Sequence, residues 1–261
     1  MIIGISSFCW HCFNETSQTK EDYEELKKEL NSEIDFEVEL NDENLYEFIC
    51  PKNHRSLTQL QEQKFEILFD IASLALIDGY TKEAVSSYSS SLERFIEYCI
   101  LIFSLKNSVT IESFIKTWKQ MANQSERQLG AFLILCLQEG ISNRIEESRS
   151  TFRNKVIHKG YIPSSKEAID YGQYVMAFIQ NTLKDLSRTS YEYLQQAMHI
   201  HLTKNGDKVP ENVRLANASM PTILSLRSIQ DQDYGNISLI DALNSVKENG
   251  FYKHFYRKKI Q

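Results

Sequence analysis

Residues 64–80 of the chain read KFEILFDIASLALIDGY. Phe65, Leu68, Phe69, Ala72 and Leu76 recur at three- and four-residue steps, and Ile67, Ile71 and Leu74 fill the sides between them. A helix with this pattern is apolar around most of its circumference, so it belongs in the middle of a bundle rather than on its surface. Asp78-Gly79 ends it. Working outward, Val85, Tyr88, Leu92, Phe95, Cys99 and Ile102 give a second helix over 82–105. Ser86, Ser87, Ser89, Ser90 and Ser91 keep part of its surface small enough for close helix packing. Residues 111–121 and 127–138 read as a third and a fourth helix, the latter stopped by Gly140. A fifth begins with Ser142 as its cap, and a sixth follows Pro163 through the capping-box pattern Ser164-Ser165-Lys166-Glu167 and continues past Tyr174, Phe178 and Leu183.

Before this region the period is two. Ile34-Asp35-Phe36-Glu37-Val38-Glu39-Leu40, the turn-like Asn41-Asp42-Glu43-Asn44 and the run Leu45 to Ile49 predict a β-hairpin, preceded by a short charged helix over 21–30. Beyond Arg188 the pattern is short and mixed. Turn signals stand at Asn205-Gly206-Asp207 and Pro210, a strand is expected at Thr222–Leu226, and a helix at Leu239–Asn249. The expected fold class is therefore mainly α: a small β-hairpin lobe over 1–60, a helical bundle over 61–187, and a short mixed extension over 188–261 with no assigned role.

Size and charge narrow the function. A chain of 261 residues with 42% hydrophobic content can build one sizeable core and small appendages. Residues 1–13 lack the charged and apolar pattern of a leader, and the longest apolar run is too short to span a bilayer, so a cytoplasmic protein without membrane contact is expected. The net charge of −6 argues against coating nucleic acid by bulk electrostatics. That charge is uneven. Residues 1–60 carry −8 and the remainder +2, ending in the basic run Lys253, His254, Arg257, Lys258 and Lys259.

Five cysteines are too few for a disulfide framework, and Cys99 and Cys136 sit in apolar helical patterns as buried thiols. Cys9-Trp10-His11-Cys12 and Cys50-Pro51-Lys52-Asn53-His54 differ, because they bracket the expected hairpin with paired soft and borderline donors on tight turns. That is the ligand supply of a tetrahedral zinc ribbon. Cys9, Cys12, Cys50 and His54 are the expected ligands, with His11 as the substitute for His54. Four protein ligands leave no open position, so the zinc would be structural.

The chemistry-bearing stretch is Arg153-Asn154-Lys155-Val156-Ile157-His158, followed by Lys159-Gly160-Tyr161-Ile162-Pro163. Histidine exchanges protons near neutral pH, arginine holds a phosphate in a fixed fork, and an amide can orient either one. On a helix spanning 141–159, Ile141, Ile145, Ser148, Phe152 and Val156 form the inward stripe. Arg153, Asn154 and His158 all then point away from the protomer's own core. No glycine-rich phosphate loop, Ser-His-Asp order or dense carboxylate cluster competes for the site.

Arg-Asn-x-x-x-His after a helical bundle, followed by Gly-Tyr-Ile-Pro and a newly capped helix, resembles the signature of the HEPN superfamily. Ile77-Asp78-Gly79-Tyr80, Glu83-Ala84-Val85-Ser86-Ser87 and Ser91-Leu92-Glu93-Arg94-Phe95 are similar to the first two helices of its bacterial members. The resemblance covers roughly residues 61–187. It implies a metal-independent endoribonuclease acting as a homodimer in which two Arg-x4-His motifs face each other. His158 would then transfer protons during attack by the RNA 2′-hydroxyl, Arg153 would stabilise the phosphorane-like charge, and Asn154 would orient the pair. The products would carry 2′,3′-cyclic phosphate and 5′-hydroxyl ends. An acidic residue on the second helix, for which Glu93 is the candidate, would contact the motif, while Arg149 and Lys159 would bind substrate phosphates. The biological setting implied is a toxin or antiphage defence effector, with an antitoxin or regulatory partner. A non-catalytic dimer of the same type that binds RNA, a nucleotide or a protein is the competing expectation.

Overall fold

The computed structural model describes residues 2–7, 9, 11–12, 34–50, 52–142, 145–230, 235–248 and 256–257. The helix expected over 21–30 and most of the basic C-terminal run lie outside these residues. The chain divides into two compact units. One collects residues 1–61, 199–221 and 248–261, and the other residues 62–198 and 222–247. Residues 188–261 are thus not a separate extension but are shared between the two.

The helical unit begins with α1 (Lys64–Ile77) and α2 (Thr81–Lys106). No residue from Phe65 to Ile77 is exposed, as an all-round apolar helix requires. Gly79, at φ 87°, makes the break between the two helices. There follow α3 (Ile111–Trp118), α4 (Ser125–Gln138), α5 (Glu147–Lys159), α6 (Ser165–Thr189), α7 (Tyr191–Thr203), which carries the chain out of this unit at His199, and α8 (Leu239–Glu248). Helix α2 packs chiefly on α1 and α6, and also meets α4, α5 and α3. The rings of Phe65 and Phe95 meet edge to face at 5.2 Å, as do those of Phe69 and Tyr88 at 4.9 Å.

The serines of α2 do more than save space. Ser91 donates to the Phe65 carbonyl at 2.7 Å, and Ser89 donates to Val85 O while its hydroxyl meets that of Tyr171 at 3.0 Å. Tyr88 is fully buried with its hydroxyl 3.2 Å from Ser73. Close packing continues at Gly172 of α6, where an added Cβ would lie 2.6 Å from the Tyr88 ring and 2.7 Å from Leu239.

Residues Thr222–Leu226 form no strand. Instead they lie along α1, held by its carboxylates: Ile223 N–H donates to Asp70 at 3.0 Å and Leu226 N–H to Glu66 at 2.9 Å. These backbone groups bond side chains, so they are not available to a ladder. Glu62, Glu66 and Asp70 recur every four residues and are all buried. Burial, opposed by the Leu226 N–H and reinforced by Glu62, pushes the Glu66 carboxyl up to about 8.

Among the described residues, the second unit holds two three-stranded sheets. Strands β1 (Ile2–Ser7), β2 (Ile34–Glu39) and β6 (Tyr256–Arg257) form one, with β1 central and both partners antiparallel. Strands β3 (Leu45–Ile49), β4 (Arg55–Leu60) and β5 (Leu215–Ala218) form the other, β3 antiparallel and β5 parallel to β4. The expected pairing of β2 with β3 is therefore corrected. Asn41 does make a turn, its side chain accepting from Glu43 N–H at 3.0 Å, but with Asn44 at φ 54° the chain passes into the second sheet. The hairpin of the lobe is β3–β4, closed by residues 50–54. Buried His201 meets the Leu60 carbonyl at 3.1 Å.

Two outcomes follow from this packing. Gly172→Ala should lower stability by about 1–2 kcal/mol in denaturant titrations, the crowding against Tyr88 outweighing the helix preference of alanine. Glu66 is raised in the folded state, so the stability it contributes is fully present below its ordinary value of 4.5 and is lost as pH rises towards about 8. Unfolding at a series of pH values should show a decline with a slope of up to about 1.4 kcal/mol per pH unit, flattened in Glu66→Gln.

Candidate functional site

Helix α5 positions the Arg-x4-His stretch differently from the sequence expectation. The helix starts at Glu147 with Glu146 as N-cap, so exposed Ser142 caps nothing and Ile141 and Ile145 precede the first turn. With the helix shortened, its inward stripe centres on Val156, the one fully buried residue, and includes half-buried Phe152 and Arg153. Arg153 stands three residues before Val156 and so shares its face, at about 60° from it. It is turned towards its own protomer, not away from it.

There its guanidinium Nη2 donates to Glu93 Oε1 of α2 at 2.5 Å, while Nη1 donates to Asn154 Oδ1 at 3.0 Å. The side chains retain 21% and 31% exposure for Arg153 and Glu93, so the pair is half-shielded. Asn154 and His158, one turn apart, are both exposed on the outer face. Gly160, at φ 68°, ends the helix, its N–H bonding the Lys155 carbonyl. His158 and Lys159 stand in the last turn, where positive charge complements the helix dipole. The next segment is tied down by Thr81, whose hydroxyl donates to Pro163 O at 2.7 Å, and by the Ser164–Glu167 capping box.

Arg153 and Asn154 border a half-open cleft of about 150 Å³ between α2, α4, α5 and α6. Glu93, Arg149, Tyr171 and Tyr174 also line it; His158 and Lys159 do not. Arg149 lies over the Tyr174 ring at 5.1 Å, and the Tyr174 hydroxyl accepts Glu146 N–H at 3.2 Å. Burial holds the Tyr171 phenol up at about 12, so it remains a neutral donor. The sequence reading missed both tyrosines. The four-residue step from Tyr174 to Phe178 read as core and Tyr171 went unnamed, and nothing in the sequence tells a core ring from a cleft wall.

The four expected ligands of the other unit come together. Cys9 Sγ lies 3.6 Å and Cys12 Sγ 3.4 Å from His54 Nδ1, Cys12 and Cys50 sulfurs are 3.8 Å apart, and all four donor atoms fall within 4.8 Å of one another. A tetrahedral zinc with about 2.3 Å bonds to sulfur and about 2.0–2.1 Å bonds to nitrogen has edges of about 3.8 and 3.6 Å. The cluster could thus hold a metal ion such as zinc. Cys9 and Cys12 follow the end of β1, and Cys50 and His54 form the β3–β4 turn, where Cys50 N–H bonds His54 O at 3.0 Å. His11 does not belong to the four; its ring stands 5.2 Å from that of His54.

Among the described residues, no helix is long and apolar enough to cross a membrane. Comparison with protein-family models, curated proteins and solved structures finds no match.

The metal site makes a direct prediction. Titration of the purified, chelator-treated chain with cobalt(II) should give one equivalent of tetrahedral thiolate-bound metal by absorption, and Cys12→Ser should weaken or abolish it.

Proposed function

We propose that the chain is a metal-independent endoribonuclease of the HEPN type, acting as a cytoplasmic homodimer. The observation that carries this reading is the Arg153–Glu93 contact, which presents a fixed guanidinium beside Asn154 at the edge of a cleft. A planar fork held by an acid from a neighbouring helix is preorganised to receive a phosphate oxygen. His158 supplies the proton transfer. It attracts the proton of the 2′-hydroxyl, or returns one to the departing 5′-oxygen, while Arg153 stabilises the charge that builds on the phosphorus oxygens. Because His158 stands outside the cleft on the exposed face with Asn154, a second copy of α5 facing the first would bring one protomer's histidine to the other's arginine. Arg149 and Lys159 add positive charge on either side of the motif, which an acidic protein needs locally to hold RNA.

The Cys9, Cys12, Cys50 and His54 set is assigned to a structural zinc, since four protein donors complete a tetrahedron and leave no position for substrate. The reaction itself is drawn without it. A toxin or antiphage effector held by an antitoxin or regulatory partner is the biological role that this chemistry fits.

One observation favours the second reading, a dimer that binds RNA, a nucleotide or a protein without cutting. The Arg153 charge is compensated by Glu93, and His158 is remote from the cleft. Incubation of chelator-treated wild type and His158→Ala with total RNA decides between them. The nuclease reading expects cyclic-phosphate ends from wild type and a loss of about 10²–10⁴-fold in the variant, the usual contribution of a general acid or base. Equal behaviour of the two proteins would leave only the binding reading.

A further inference from the structure

The cleft beside Arg153 has a shape and chemistry that the cleavage reaction alone does not use. Its inner wall is apolar, formed by Leu92 and Ile96 of α2, Leu129 of α4 and Ile145. Its outer edge is polar, and its volume of about 150 Å³ is of the size that holds a single six-membered ring. We infer that this cleft is a base-binding subsite that takes a pyrimidine nucleobase of the RNA chain whose phosphate Arg153 holds. The assignment rests on the reading of Arg153 as a phosphate ligand.

Three features support it. Arg149 lies over the Tyr174 ring at 5.1 Å with its Nε 3.5 Å from the Glu146 carboxylate, and that ring is itself held by the hydrogen bond from Glu146 N–H to its hydroxyl. The guanidinium therefore offers a flat, positively charged surface on which a base can stack. The polar edge carries both hydrogen-bond characters. Asn154 uses its carbonyl oxygen on Arg153 and keeps its amide N–H groups as donors, while the Glu93 carboxylate is an acceptor. The Watson–Crick edge of cytosine or uracil presents a carbonyl acceptor together with an N–H donor, and so satisfies both. Finally, base and phosphate sites are adjacent, because Arg153 borders the cleft with its own guanidinium. The volume of about 150 Å³ matches one six-membered ring more closely than the fused two-ring system of a purine.

The test uses the full chain and the four nucleoside 3′-monophosphates as probes, with binding followed by calorimetry and cleavage by mapping product ends on RNA of mixed sequence. The cytidine and uridine probes should bind at least about tenfold more tightly than the adenosine and guanosine ones, the discrimination expected when a pocket lacks room for added atoms. Leu129→Trp fills the cleft from α4 and should remove pyrimidine binding. Ser150→Phe fills it from α5 and serves as a second blocking variant, each checked for unchanged helix content. Leu129→Ala should narrow the gap between pyrimidine and purine probes. Equal affinity for all four probes, or pyrimidine binding that survives both blocking variants, overturns the subsite. The two readings fail separately: selective binding without cleavage of any RNA keeps the subsite and removes the nuclease. Cleavage without base preference, unchanged in both blocking variants, does the reverse.

Discussion

The helical unit depends on one constraint, the burial of α2 on nearly every side. Over 26 residues only Glu83 and Ser90 are exposed, and five helices pack on the remainder. A helix in this position can carry polar side chains only where a neighbour completes their hydrogen bonds. Ser89 and Ser91 meet that demand through Tyr171 and the backbone of α1. Glu93 meets it through Arg153. The proposed catalytic arginine is thus oriented by a half-shielded carboxylate carried on the most enclosed helix of the unit.

That arrangement bears on the proposed role of Arg153 as a phosphate ligand. An ion pair with this much exposure contributes little to stability, about 0.2–1 kcal/mol, so its value is positional. The guanidinium reaches Glu93 with one nitrogen and Asn154 with another, and so cannot swing freely. A fixed fork loses less entropy on meeting a phosphate than a mobile one, but the neighbouring carboxylate partly cancels its field. Positive charge for the approach of an anion must then come from Arg149, Lys155 and Lys159 around it. Of these, Lys155 lies over the Tyr161 ring at 3.4 Å, and Arg149 lies over the Tyr174 ring with its Nε 3.5 Å from the Glu146 carboxylate, which leaves Lys159 at the exposed helix end.

Much of the helical framework was legible because its signals are local. The all-round apolar pattern of α1, the break at Asp78-Gly79, the end of α5 at Gly160 and the capping box at Ser164–Glu167 each depend on a few consecutive residues. The errors arose where a partner decides the outcome. Period two identifies β2 and β3 as strands but does not choose their neighbours, and β3 pairs with β4 instead. Thr222–Leu226 has the composition of a strand, yet Glu66 and Asp70 take its N–H groups. Arg153 was misplaced by starting its helix six residues early, which rotated the mean of the apolar stripe. The clustering of the four candidate ligands was legible from spacing alone, since Cys-x2-Cys and Cys-x3-His each constrain a single turn.

The donor cluster also sets the ionisation of its own thiols. Three thiols and an imidazole confined within 4.8 Å disfavour ionisation: burial first, then the neighbouring Cys9 and Cys50 sulfurs, push the Cys12 thiol up to about 12. Cys50 behaves oppositely. Burial acts to raise it, but hydrogen bonds from the backbone N–H groups of His54 and Lys52 and from the Cys9 and Cys12 side chains together bring it below its ordinary value. The His54 N–H stands 3.4 Å from the Cys50 sulfur. The β3–β4 turn therefore contributes, through its own backbone N–H groups, to favouring the charged form of Cys50. A cation held by this cluster would have to displace the proton of the Cys12 thiol, since a thiolate rather than a thiol is the metal ligand.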